Sequence, residues 1–276
     1  MSSRHNWAVA PWPTSMPKRS GMAGLDALGV VYASPAAVAA HDKEAWLRLF
    51  ARDHVVEDPV GGRPVIGGVF DRRTGGRGYG PLGRFWETFI APNDIVVSDG
   101  GGDVVDDLAV ARDVTIETRM STGVVLRTPA HLVYELTHED GGLRIRRLAA
   151  HWEVGPMLRQ LVRPSTAHVS AMAEQAARSM RIQGLGGAAA FVRSVHSVGN
   201  RGKATTMELV GAARNGDAEA LKLLGGAAPS DPRRLIAAGD TVTGSCTVDG
   251  AAAMLVCHLN RISLRVIRCA LYVDRR

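Results

Sequence analysis

His41-Asp42-Lys43-Glu44-Ala45-Trp46-Leu47-Arg48-Leu49-Phe50-Ala51-Arg52-Asp53-His54-Val55-Val56-Glu57-Asp58-Pro59-Val60-Gly61 joins the end of a helix to the end of a strand. Upstream, Ser34 and Pro35 form a helix start: a hydroxyl to cap free amides, then a ring already at helical φ. The segment from Pro35 to Phe50 therefore reads as helix. Val55 and Val56 read as a short strand that stops at Asp58, because Pro59 removes a ladder donor and holds the residue before it extended. Residues 1 to 28, with Pro11, Pro13 and Pro17 and no periodicity, are expected to be an unstructured leader.

Downstream, a Gly/Arg-rich loop from Gly61 to Gly83 precedes Phe85, Trp86 and Phe89, the apolar side of a short helix. Strand-like runs follow at 94–97, 108–120, 123–136 and 143–152, with Glu139-Asp140-Gly141-Gly142 as a hairpin turn between the last two. Helices followed by an antiparallel meander make the class α+β, with the sheet curling around the helices. Along 126–136 one strand face carries Leu126, Ala130, Leu132, Tyr134 and Leu136, and the other Pro129, His131 and Val133. Both faces are apolar enough to be buried. One is expected to line a pocket, while the other, with Leu132 and Tyr134, packs on a partner subunit or on the rest of this chain.

A stripe of Val169, Met172, Ala173, Ala176, Ala177 and Met180 reads as a connecting helix. Beyond it, a helix over 207–224 and strands at 240–248, 251–259 and 263–273 are expected. Asn215-Gly216-Asp217-Ala218-Glu219-Ala220-Leu221 echoes His41-Asp42-Lys43-Glu44-Ala45-Trp46-Leu47, each leading to an Asp-Pro step, Asp231-Pro232 and Asp58-Pro59. The spacing suggests a shortened internal repeat. The expected division is a leader over 1–28, a first domain over 29–155, a helical connector over 156–199 and a degenerate copy over 200–276.

A chain of 276 residues with 46% hydrophobic and 22% charged residues can bury ordinary cores and suits two small domains. No run approaches a membrane span, and no basic-then-apolar segment opens the chain. Cys246, Cys257 and Cys269 form no CxxC pair, so neither a disulfide framework nor a zinc site is indicated, and a reducing cytoplasm is expected. The net charge of +6 comes with only four lysines among 33 basic residues, a signature of codon bias more than of nucleic-acid binding.

The quoted stretch closely resembles bacterial ketosteroid isomerases of the NTF2-like superfamily, a group that includes SnoaL-like proteins. The resemblance covers about the first 155 residues and centres on Val56-Glu57-Asp58-Pro59-Val60-Gly61. It implies a cone of helices in a curved sheet, with Asp58 as general base. Burial disfavours a charged carboxylate and raises its pKa, which makes it a stronger base toward a carbon acid. The family's protonated aspartate, two residues after a proline on the third strand, corresponds to His131 after Pro129, an imidazole that could donate to an enolate oxygen. Its phenol falls near Ser34, where the nearest tyrosine is Tyr32. Val56, Phe85, Phe89, Val133 and Trp152 would form the wall.

Arg63, Arg72, Arg73, Arg77 and Arg84 give the long loop a means of holding phosphates, such as those of a coenzyme A thioester. No P-loop, HExxH, Cys/His cluster or GxSxG occurs, so no cofactor or metal is indicated. Related epoxide hydrolases use an Asp-Arg-Asp set, for which Arg127 could supply the middle member. The leading expectation is an isomerase-like enzyme acting on a hydrophobic carbonyl compound such as a steroid or polyketide. The alternatives are a hydrolase in the same pocket and a non-catalytic lipid-binding or assembly module. A hydrophobic small molecule and either a homodimer or intramolecular tandem packing are the expected partners.

Overall fold

The structure is a computed structural model that describes residues 22–68, 70–71, 76–77, 80–161, 170, 174 and 196–276. The connecting-helix stripe, Arg72 and Arg73 lie outside the described residues.

Helix α1 (Met22–Ala39) starts earlier than Ser34 and carries Pro35 within it. The cause is tertiary. Ala27, Leu28, Val31, Ser34 and Val38 are buried at helical spacing on both sides of the proline, so burial outweighs one lost ladder hydrogen bond. Residues 22–28 therefore belong to the fold and not to a leader. The expected single helix to Phe50 is broken after α1, where His41 takes φ 53 and amides of His41 and Asp42 close the helix on Val38 and Ala37. Helix α2 (Lys43–Arg48) then restarts with Asp42 accepting from the Ala45 amide at 2.9 Å.

Strand β1 (Phe50–Glu57) ends beside Asp58 as expected. Short β2 (Val65–Ile66) pairs with β1, and β3 (Phe70–Asp71) pairs with β4 (Gly76–Arg77) inside the long loop. Helix α3 (Gly80–Phe85) continues as a π-helical turn, Trp86–Ile90. Then come β5 (Asn93–Asp106), β6 (Ala109–Met120), β7 (Val125–Glu139), β8 (Gly142–Trp152) and helix α4 (Val154–Leu161). The sheet order is β2-β1-β8-β7-β6-β5, with β1 parallel to β8 and the other pairs antiparallel. The class is α+β, as expected, but the sheet has six strands, because β1 and β2 join the meander.

The second unit comprises α5 (Gly199–Arg214), α6 (Ala218–Leu223) and the antiparallel sheet β9 (Arg233–Ala238), β10 (Thr241–Val248), β11 (Ala251–Leu259), β12 (Val266–Val273). The helix expected over 207–224 is split at Gly216, φ 85, and β9 is a strand the sequence did not reveal. The turn into α6 repeats the turn into α2. Amides of Gly216 and Asp217 return to Ala213 and Ala212, and Asp217 caps through the Ala220 amide. This is the local geometry behind the sequence echo. Cys257 and Cys269, opposite each other on β11 and β12, are joined as a disulfide, while Cys246 is free and buried. Strand register makes that pair, and register cannot be read from cysteine spacing.

Leu132, Tyr134 and Leu136 face the helices, in one core with Val31, Trp46, Phe50, Val56 and Phe85. The outward face is the other one. Val133, Ala111 and Ala149 pack with Val60 against Ala238, Met254, Val256 and Tyr272 of the second sheet. Both faces are apolar, so alternation finds two faces and does not say which meets the helices. The outer face is thus covered by the chain's own second sheet, as the tandem alternative expects. Where the units meet, Gly61 and Gly239 approach so closely that a Cβ on either would strike the other's Cα.

Candidate functional site

Strand β1 delivers Asp58 to the concave face of the first sheet. Val56 lies beside Leu148, which in turn faces Tyr134 across β7, and the Val60 amide bonds the Ala150 carbonyl. Asp58 therefore sits near Ala150 and Trp152, on the side of the sheet that carries Val56, Tyr134 and the helices. The Trp152 Nε1–H donates to Asp58 Oδ1 at 2.7 Å. Asp58 is half-buried. Burial pushes the Asp58 pKa up, and the indole hydrogen bond pulls it part of the way back.

The inner core that Trp152 packs against is rich in aromatic rings. Trp46 packs on Phe50 at 4.7 Å and on Trp86 at 5.4 Å between ring centroids, and Phe85 on Phe89 at 5.1 Å. The π-helical turn holds Phe85 and Phe89 together; such turns recur at functional sites. Of the residues expected in the wall, Val56, Phe85, Phe89 and Trp152 belong to this inner core. Val133 does not, because it faces the second sheet.

His131 is also on the outer face. It is fully buried between the sheets, with Nδ1 2.7 Å from Thr243 Oγ1 and Nε2 3.6 Å from Asp113 Oδ1. It cannot share a cavity with Asp58, since consecutive strand positions point to opposite sides. Tyr32 is likewise away from the site: its side chain is exposed and its hydroxyl donates to Asp103.

The phenol that does lie inside is Tyr134, 2% exposed and hydrogen-bonded to Ser34. Ser34 Oγ also accepts from Trp46 Nε1 at 3.2 Å. Burial holds the Tyr134 pKa up at about 12, so it remains a proton donor at ordinary pH. Counting back from Asp58 leads to Ser34, which in the structure is hydrogen-bonded to Tyr134. The aromatic ring there comes from β7, a contact 100 residues away in sequence, and only the observation that Tyr134 shares a face with Leu132 could have hinted at it.

Arg127 is exposed and paired with Glu117 at 2.8 Å, so it builds no Asp-Arg-Asp set. Such a set does form elsewhere. Arg112, 4% exposed, reaches Asp99 at 2.6 Å and Asp103 at 2.9 Å and lies 4.7 Å over the Tyr32 ring. It ties α1 to β5 and β6. Arg112 and Asp103 act on the Tyr134 phenol electrostatically, as Asp58 does from the other side of β7. In the second unit, Asp231 is exposed and paired with Arg214. Among the described residues no group of His, Cys, Asp and Glu could hold a metal ion, and no helix is long and apolar enough to cross a membrane.

Compared with solved structures, the chain is similar to a Δ5-3-ketosteroid isomerase from Mycobacterium sp., 28% identical over 47% of this chain and 95% of that one, TM-score 0.39. It is similar to a Mycobacterium tuberculosis protein crystallised with estradiol-17β-hemisuccinate, 26% identical over 47% and 95%, TM-score 0.38. A third is an LEH-like epoxide hydrolase of M. tuberculosis, 20% identical over 56% and 98%, TM-score 0.38. No family model and no curated protein matches the chain.

Proposed function

We propose that the first unit moves a proton on a hydrophobic, carbonyl-bearing molecule of the steroid or polyketide kind, with Asp58 as the base and Tyr134 as the donor to the carbonyl oxygen. The observation that carries this reading is Asp58 itself: a carboxylate half-buried on an apolar concave face, made more basic by burial and held by one indole N–H. A free carboxylate oxygen suits abstraction of a proton next to a carbonyl. As the carboxylate takes the proton, negative charge builds on the substrate's carbonyl oxygen, which needs a donor fixed in advance. The indole of Trp46 can only donate, so it engages a lone pair of Ser34; the Ser34 proton then serves the Tyr134 oxygen, and the Tyr134 proton is left for the substrate.

A proton-moving enzyme exchanges the substrate's acidic hydrogens with solvent. Incubation with a cyclic β,γ-unsaturated ketone in D2O should give deuterium at the carbon between carbonyl and alkene, and migration of the double bond, both followed by NMR. A ligand that quenches tryptophan fluorescence on binding but neither exchanges nor isomerises would instead favour the second reading, a lipid-binding module. The displacement of Tyr32 from the site is the observation on that side.

The second unit is read here as a degenerate copy with no catalytic part. Asp231, exposed and paired with Arg214 outside any enclosed space, lacks the burial that makes Asp58 basic. Asp231→Asn is expected to leave exchange within about twofold of wild type and stability within about 0.5 kcal/mol. A loss matching that of an Asp58 variant would place a working site in residues 200–276.

A further inference from the structure

The outer face of the first sheet is not uniformly apolar. Alongside the small residues that meet the second sheet runs a row of ionisable groups, of which Asp113, His131 and His151 are buried and the others of this sheet half-buried. From the first unit come Glu57 of β1, Asp113 of β6, His131 and Glu135 of β7, and Arg147 and His151 of β8. Facing or flanking them from the second unit are Arg234 of β9, Asp240 before β10, Ser245 of β10, His258 of β11, and Arg268 and Tyr272 of β12.

Of the nearby carboxylates, Asp113, Glu57 and Glu135 already have partners, while Asp240 acts on His258 and pulls its pKa part of the way back up. Asp113 binds Arg234 at 2.6 Å and Ser245 at 2.8 Å, while Glu57 and Glu135 hold Arg147 at 2.6 and 2.9 Å. The Asp113–Arg234 pair passes over Gly100 and Gly101, where any Cβ would collide with it, which explains that glycine run and its bulge in β5. His151, 2% exposed, has only the His131 carbonyl at 3.3 Å to receive its N–H; the other groups acting on it are Arg147, His131 and His258, none of them an acid.

We propose that this contact is an acid-operated joint: His151 and His258 hold the two units together while neutral, and their protonation separates the units without unfolding either. Two facts make separation without unfolding feasible. Each unit has its own apolar core, and the apolar patch between them is built mainly of alanine and valine. One tie at the C-terminus weakens in the same direction. Asp106, which holds Arg275 at 2.6 Å, has its pKa raised by burial, so it loses its charge earlier in acid than an ordinary carboxylate.

The sign follows from linkage. In the closed joint the pKa of His151 is pushed down to about 3 by burial and by Arg147, and that of His258 to about 4 by burial and by Arg268. Once released to water each returns to about 6.5 and binds a proton that the closed form refuses. The joint is therefore fully favoured above about pH 6.5 and weakens as pH falls below it. At pH 4.5 each imidazole lowers the closed-to-open ratio by roughly 100-fold. His131 contributes less, because Asp113 stands ready to compensate its charge.

The test is small-angle X-ray scattering of the full chain between pH 7.5 and 4.5, with far-UV circular dichroism on the same samples. A reversible rise in radius of gyration with unchanged dichroism is expected, and His151→Phe should move its midpoint to lower pH by about one unit or more. Should that variant not fold, the half-buried His258→Gln decides in the same way. The proposal is overturned by a constant radius with the fold intact, by loss of dichroism in the same step as the rise, or by a midpoint unmoved in the folded variant.

Discussion

Asp58→Asn is expected to lower proton exchange by at least about 100-fold, and by as much as about 10,000-fold, with the thermal midpoint little changed. The amide keeps the carboxyl's shape and can still accept the Trp152 N–H through its oxygen, so the local packing survives. What is lost is the basic lone pair. In the wild type the rate should fall as pH drops through the Asp58 pKa, and that acid limb should lie above the ordinary carboxylate range because burial raises it. Trp152→Phe removes the one hydrogen bond that favours the charged form, so it should move the limb to still higher pH while leaving a measurable rate. Exchange unaffected by Asp58→Asn would reduce the residue to a strand terminator.

Tyr134→Phe is expected to cost about 100-fold to 1,000-fold in turnover, the range for loss of one fixed donor to a developing oxyanion. Unlike the Asp58 variant, it should lower the rate by the same factor across the acid range, because a phenol with a pKa of about 12 does not titrate there. Phe fills the same volume, and Ser34 still receives the Trp46 N–H, so the stability loss should stay near about 1 kcal/mol, typical of a single hydrogen bond. Binding of a substrate analogue should weaken far less than turnover. An unchanged turnover would move the oxygen-binding role away from β7. His131→Asn is the matching control: it should disturb the contact between the units and leave the chemical step alone.

Much of the site was legible because it is local. Proline after Asp58 ends a strand wherever that strand lies, and the Glu139–Gly142 turn and the apolar runs of β6, β10 and β11 each depend on neighbours in sequence. What was misread depends on partners far away. His131 and Tyr134 are three residues apart on a strand with two apolar faces, and only the position of the second sheet decides which face is inner. The glycines after Asp99 look like a break in β5, yet they make room for a pair formed by Asp113 and Arg234. Pro35 looked like a helix start until the buried residues on both sides of it showed that the helix runs through. Cys257 and Cys269 become partners only through the register of a hairpin.

The parallel pairing of β1 with β8 sets an order of events. The residue that would do the chemistry and the indole that holds it are 94 positions apart, and the strand carrying Asp58 borders its main partner only after the whole meander between them has been threaded. Closing so long a loop is entropically slow, and it is rewarded only when β8 is in place. A nascent chain that has released Asp58 but not Trp152 thus holds a carboxylate with neither its low-dielectric surroundings nor its donor, an ordinary surface acid. Basicity arrives together with the last strand of the unit, so a half-made protein lacks the base on which the proposed reaction depends.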